Sequence, residues 1–205
     1  MRVGVLALQG DFALHAEALR RAGVEPVEVR KPTALDAVAG LILPGGESTT
    51  LLHLMEAGDF GSAIRAFHAS GRPLFGTCAG LILLAREVES PRQPSLGLID
   101  LTVERNSYGR QRESFEATGE AVSEVTGEAE ASTRFDRKPL RMVFIRAPRI
   151  RRAGVGVEVL ARHRGDPVLA REGPVLVAAF HPELTDDLTV HRYFCRMAEE
   201  RPASI

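Results

Sequence analysis

The sequence predicts an α/β protein with a mostly parallel central sheet, helices on both faces, and a mixed or antiparallel extension of that sheet. Three observations predict it. Short apolar runs alternate with helix-periodic segments through the first ninety residues. Those runs are apolar at consecutive positions, the pattern of strands covered on both faces. Beyond Pro91 strand-like runs continue, but the helices between them largely disappear.

The elements follow in order. Val3 to Leu8 is a largely apolar run ending near Gly10, and Ala13 to Ala22 then places Leu14, Ala18 and Leu19 at helical spacing. Val24 to Val29 reads as a second strand, and Leu41-Ile42-Leu43 before Pro44-Gly45-Gly46 as a third. Helical material occupies Leu51 to Ala57 and Phe60 to Ser70. Pro73 to Gly76 is a fourth strand. Ala79 to Glu87 follows as a helix whose Leu81, Ile82, Leu83 and Leu84 are too apolar for an exposed position. Leu98 to Val103, Met142 to Ile145, Val155 to Ala161 and Val175 to Phe180 supply the extension. The Glu/Ser/Thr/Gly-rich stretch from Ala117 to Lys138 holds few large apolar residues and is expected to form a surface excursion or mobile loop.

Composition narrows the function classes. A chain of 205 residues is expected to form one domain, 1–205, on a prior of about 150 residues per domain. Lys and Arg number 26 against 27 Asp and Glu, so a net charge of −1 provides no whole-molecule field for nucleic acid or an anionic membrane. Cys78 and Cys195 are too few for a disulfide framework or a four-thiolate metal site, which favours a reducing compartment. The apolar start is interrupted at Gln9 and Asp11 before it reaches the length of a signal sequence, and no apolar run approaches the roughly 20 residues of a membrane span. A soluble cytoplasmic protein is expected.

Two segments carry the signature of nucleophilic catalysis. Gly76-Thr77-Cys78-Ala79-Gly80, between strand and apolar helix, has the form of a strand-to-helix elbow with cysteine at its apex. A thiol at a helix N-terminus feels the positive end of the dipole, which favours the thiolate, and the N–H of Ala79 is placed to stabilise an oxyanion. A buried structural cysteine is the alternative. Among six histidines, His181 stands out because it follows the strand Val175 to Phe180, where open parallel sheets place their sites, and precedes Pro182 and Glu183. Pro182 is expected to hold His181 extended, so that Glu183, two residues on, projects to the same side and orients the imidazole. Pro44-Gly45-Gly46-Glu47-Ser48-Thr49-Thr50 lacks the lysine of a phosphate-binding loop; backbone N–H groups near Gly46 suit the second half of an oxyanion hole, and an ordinary turn with a helix cap is the alternative.

Together these motifs carry a resemblance. Gly45-Gly46-Glu47-Ser48, the Cys78 elbow and His181-Pro182-Glu183 resemble class I glutamine amidotransferases. More narrowly, Leu6 to Gly10, Leu41 to Thr50, Glu104 to Gln111, Phe144 to Pro148 and Phe180 to Thr185 are similar to the glutaminase subunits of pyridoxal 5′-phosphate synthase, from end to end of the chain. Two departures stand out: Leu14 precedes His15 where the family more often has Glu, which leaves open the partner-facing role of Gln9 and His15, and the stretch 117–138 is longer than usual.

The resemblance implies a flavodoxin-like three-layer sandwich and glutamine hydrolysis through a Cys78–His181–Glu183 triad, with Gly46 and Ala79 forming the oxyanion hole. It assigns glutamine contacts to Gly46, Glu47, Ser48, Arg105, Ile145 and Arg146. A carboxylate such as Glu47 suits the substrate ammonium, and an arginine suits its carboxylate. No cofactor or metal is implied. The implied partners are L-glutamine and a separate synthase subunit that consumes the ammonia in a hetero-oligomer, with low activity for the glutaminase alone. Alternatives are the same chemistry serving histidine or purine synthesis, and a non-catalytic α/β binding module.

Overall fold

The computed structural model describes residues 1–105, 115–121, 135 and 139–200. The first half runs β1 (Arg2–Leu6), α1 (Phe12–Arg21), β2 (Glu25–Val29), a 3₁₀ turn (Pro32–Ala37), β3 (Gly40–Leu43), α2 (Ser48–Ala57), α3 (Phe60–Ala69), β4 (Leu74–Thr77) and α4 (Ala79–Leu84). The second half runs β5 (Ala85–Glu89), β6 (Ile99–Glu104), β7 (Phe115–Ala121), β8 (Leu140–Phe144), β9 (Arg149–Ala153), β10 (Glu158–His163), β11 (Asp166–Glu172), β12 (Val175–Ala178), a 3₁₀ turn (Pro182–Leu184) and α5 (Thr189–Glu199).

Among the described residues, nine strands form the main sheet in the order β2-β1-β3-β4-β12-β11-β10-β7-β8. The first five are parallel. From β12 outward every pairing is antiparallel. The 2-1-3-4 opening with the last strand beside β4 is the doubly wound, flavodoxin-like order. β4 shows why helices must cover both faces: the ring of Phe75 packs on Phe194 of α5 and edge-on to His15 of α1. Its neighbour Gly76 faces α4 on the other side. The consecutive apolar residues of β3 and β4 are therefore buried on both faces, each such large side chain contributing about 1.5–3 kcal/mol.

Three expectations are corrected. The helix after the elbow ends at Leu84, and Ala85–Glu89 turns into β5. Leu98 to Val103 does not extend the main sheet; as β6 it pairs with β5 and β9 in a separate three-stranded sheet. Apolar alternation in Arg86-Glu87-Val88-Glu89, with Val88 buried and its neighbours more exposed, fits this half-covered strand better than a helix turn. The expected excursion of 117–138 begins instead inside β7, and most of its remainder lies outside the described residues. β9 and β11 were not predicted because their arginines and glutamates mask a half-exposed strand pattern.

β3, β4 and β12 are parallel neighbours, with Leu43 opposite Gly76 and Thr77 opposite Ala178. Their carboxyl ends point the same way, so the loop after Leu43, the elbow at Cys78 and the segment after Ala178 meet at one edge.

Candidate active site

Cys78 forms the N-cap of α4 with φ 48° and ψ −99°, a conformation unusual for a residue with a side chain and costing on the order of 1–3 kcal/mol. The surrounding glycines make the turn possible. A Cβ on Gly76 would come within 2.6 Å of the Gly80 carbonyl, and one on Gly80 within 2.1 Å of the Leu43 oxygen. The Cys78 N–H is bonded to the Ala178 carbonyl at 2.9 Å, which ties the elbow directly to the strand leading to His181. The thiol lies 3.9 Å from the Ile145 carbonyl.

His181 and Glu183 are both buried, and His181 Nδ1 lies 2.7 Å from Glu183 Oε1. The expected pairing is present, but by a different route. Glu183 sits in the 3₁₀ turn Pro182–Leu184 rather than two residues along an extended segment, and β12 ends at Ala178 rather than Phe180. With Nδ1 engaged by the carboxylate, Nε2 is the atom left for the hydrogen bond to Cys78. Burial penalises a charged imidazole, yet hydrogen bonding and charge from Cys78 and Glu183 outweigh it and raise the His181 pKa to about 10. Glu183 is also penalised by burial, but the neighbouring histidines lower its pKa to about 2. The contacts with Cys78 and Glu183 thus favour the imidazolium form of His181.

The triad opens into a cavity of about 330 Å³, within the range of small-molecule sites. Gly46 and Glu47 line one side, Ile145 and Arg146 another, and Arg105 reaches in from the end of β6. Gly45 lies against the imidazole, where a Cβ would come within 2.4 Å of His181 Cε1. Gly46 takes φ 144°, and its peptide with Glu47 is held by the Glu47 N–H donating to Gln9 Oε1 at 3.2 Å. Ala79 begins α4, so its N–H has no intrahelical acceptor.

Glu47 and Arg105 already meet: Arg105 Nη2 lies 3.4 Å from Glu47 Oε1 and donates to Thr49 Oγ1 at 3.2 Å. Glu47 Oε2 accepts from the Thr50 N–H at 2.7 Å, capping α2 and helping to lower the Glu47 pKa against a burial penalty. Ser48 departs from expectation. It is buried outside the cavity lining, and its hydroxyl donates to Gln93 Oε1 at 3.0 Å.

His15, whose partner-facing role the sequence left open, is fully buried. It lies behind Glu183, Nε2 to Oε2 at 3.4 Å, and sequence reasoning did not place it there. Asp11, 3.8 Å from His181 Nδ1, was missed as well. His191 had a readable signal, being on the apolar face of α5 with Phe194 and Ala198, where a histidine needs an internal partner. Cys195 is free and buried, its thiol pushed up to about 12 by burial, consistent with packing.

A doubly wound sheet carrying a cysteine elbow opposite a carboxylate-held histidine defines the class I glutamine amidotransferase architecture. The chain belongs to the SNO glutamine amidotransferase family, whose sequence pattern it matches over residues 5–200. It is 48% identical over 199 residues to pyridoxal 5′-phosphate synthase subunit PdxT of Thermotoga neapolitana, covering 97% of this chain and all of that one. The PdxT subunit of Pelotomaculum thermopropionicum is 52% identical, covering 95% and 93% of the two chains. A crystal structure of a glutamine amidotransferase superposes with a TM-score of 0.85 at 49% identity, covering 96% of this chain and 98% of that one. PurLQS from Thermotoga maritima, 17% identical with a TM-score of 0.64 over 98% and 96% of the chains, shares the fold. No helix of the described residues is long and apolar enough to cross a membrane.

Proposed function

We propose that this chain, as one glutaminase domain over residues 1–205, hydrolyses L-glutamine to L-glutamate and ammonia and supplies the ammonia to a pyridoxal 5′-phosphate synthase subunit. The observation that carries the reading is the coupled Cys78–His181–Glu183 set opening into a cavity with an arginine and a carboxylate at its mouth. The likeness to PdxT subunits supports the choice of pathway over histidine or purine synthesis.

The Cys78 thiolate attacks the side-chain amide carbon of glutamine, and the carbonyl oxygen becomes an oxyanion facing the N–H groups of Ala79 and of the Gly46 loop. His181 gives its Nε2 proton to the departing nitrogen, so ammonia leaves and a thioester remains. Neutral His181 then takes a proton from water as it adds to the thioester, and collapse releases glutamate and restores the thiolate–imidazolium pair. Glu183 stays ionised throughout and holds Nδ1. Arg105 or Arg146 pairs with the substrate carboxylate and Glu47 accepts from its ammonium; Gly46 and Ile145 contribute backbone groups, while Ser48 acts through the loop it anchors.

Free thiols as nucleophiles suit a reducing interior, and we place the protein in the cytoplasm. The test is glutamate release by the full chain with and without the candidate synthase. The expected result is low release alone and strong stimulation on mixing. No release in either case would instead favour a binding module, and stimulation by a different ammonia-using synthase would reassign the pathway.

A further inference from the structure

Behind the triad lies a second set of buried polar groups that the mechanism above does not use. His15 and His191 are fully buried, His15 Nδ1 is 3.0 Å from His191 Nε2, and His15 Nε2 is 3.1 Å from Thr77 Oγ1. The same Nε2 faces Glu183 Oε2 at 3.4 Å, and that oxygen has no other hydrogen-bond partner. Phe75 meets both imidazoles edge-on, with centroids 6.2 and 6.1 Å away and ring planes at 84° and 86°, which restricts their rotation.

We propose that His15 is a positioning residue for the triad: as a neutral Nε2–H tautomer fixed by His191, it turns a proton toward Thr77 and Glu183 Oε2 and holds the carboxylate against His181. The inference rests on reading Cys78, His181 and Glu183 as the reactive set.

The tautomers follow from counting protons. One of His15 Nδ1 and His191 Nε2 must donate in their shared bond. If His15 Nδ1 donated, neutral His15 would turn a bare Nε2 lone pair toward the Glu183 carboxylate in a buried site. His191 would then carry its proton on Nδ1, which has no partner, leaving a buried N–H unsatisfied. If His191 Nε2 donates, His15 carries its proton on Nε2, facing Thr77 and the carboxylate, and only the His191 Nδ1 lone pair is left over. The second arrangement removes both conflicts. It also occupies the nitrogen where a second proton on His15 would sit. A cationic His15 would compete with His181 for Glu183, so its neutrality keeps the carboxylate directed at the triad.

The charged groups around the pair are consistent with this. Glu183, His181 and Asp11 face His15; His15, Glu183, Arg21 and Asp187 face His191. Burial is the largest influence on both rings, lowering the His15 pKa and taking His191 to about 3. Thr77, next to the nucleophile, connects the set to the elbow itself.

Ring ¹⁵N shifts of the full-length protein near neutral pH test the tautomer without any substitution. Nε2–H on both His15 and His191 is expected; Nδ1–H on His15, or a cationic His15, would overturn the proposal. Two variants test the role. His15→Leu keeps bulk but removes the donor, whereas His15→Gln places an amide N–H near the former Nε2. With the synthase present, His15→Leu should lower kcat about 10- to 100-fold with KM changed less than about 2-fold, and His15→Gln should restore most of kcat. The alkylation of Cys78 by iodoacetamide should keep its wild-type pH profile in His15→Gln, and in His15→Leu should lose its acid side at a pH about one unit higher. Equal losses in the two folded variants, or an unshifted profile in His15→Leu, would assign His15 a packing role. Alkylation and ring shifts need no glutamine turnover, so they decide this point even if the glutaminase reading fails. If His15→Leu does not fold, the wild-type tautomer and the His15→Gln profile still decide it.

Discussion

Nδ1 of His181 lies 2.7 Å from Oε1 of Glu183, and both groups are buried. This contact fixes which imidazole nitrogen faces Cys78. Together with the hydrogen bond to Cys78, it also accounts for a ring that burial alone would keep neutral being raised to a pKa of about 10. The reactive pair therefore depends on a residue that never touches the substrate.

Glu183→Gln keeps the shape and the possible Nδ1–H acceptor but removes the charge. His181 should fall from its pKa of about 10, because the carboxylate charge that supports the imidazolium is gone. The alkaline limit for protonating the departing ammonia then moves to lower pH, and kcat should drop by roughly 10²- to 10⁴-fold. A pH profile of glutamate release in the presence of the synthase measures both effects.

Two glycines of the site should behave oppositely on substitution. Gly45→Ala puts a methyl group into the His181 ring and should cost activity well beyond any change in Tm. Gly80→Ala meets the Leu43 backbone oxygen instead, and should destabilise the fold by about 1–3 kcal/mol. Thermal denaturation and turnover measured on the same samples separate the two.

At the cavity mouth, Arg105→Ala should raise KM for glutamine roughly 10-fold or more by removing a charged hydrogen-bond donor, with a smaller effect on kcat. Ser48→Ala should leave KM within about 2-fold, since the hydroxyl is committed to Gln93 and does not line the cavity. Steady-state kinetics with the synthase present read both values.

The buried His191 makes stability pH-dependent in a defined direction. Its folded pKa is lowered to about 3, so between about pH 6.5 and pH 3 the unfolded chain binds a proton that the folded chain refuses. Stability should therefore decline as pH falls through that window, by up to about 1.4 kcal/mol per unit from this group. Glu183, lowered to about 2, acts in the same direction below about pH 4.5. Denaturant titrations from pH 7 to pH 4 should show a shallower decline in His191→Leu than in the wild-type chain.

Much of this molecule was legible in its residues, and the failures have physical causes. Consecutive apolar positions announced β1, β3, β4 and β12 because parallel strands buried on both faces allow no polar alternation. The elbow was readable because its two outer glycines are required by backbone approaches of 2.6 and 2.1 Å to a hypothetical Cβ. The turn that places Glu183 was not: Pro182 is compatible with an extended segment and with the start of a 3₁₀ turn, and packing decided between them. Nor could spacing join His15 to His191, which are 176 positions apart and meet only after α1 and α5 pack on the same face of β4. Ser48 misled for a related reason: its loop was placed correctly, but the direction of one hydroxyl is set by Gln93, which no local pattern connects to it.

Treatment of the full chain with a diazoketone analogue of glutamine, in the presence of the synthase, tests the central claim most directly. Mass spectrometry should find one adduct, on Cys78, appearing in step with loss of glutamate release and slowed by glutamine. A folded, synthase-bound chain that stays unmodified at Cys78, or that is inactivated through Cys195 instead, would contradict it.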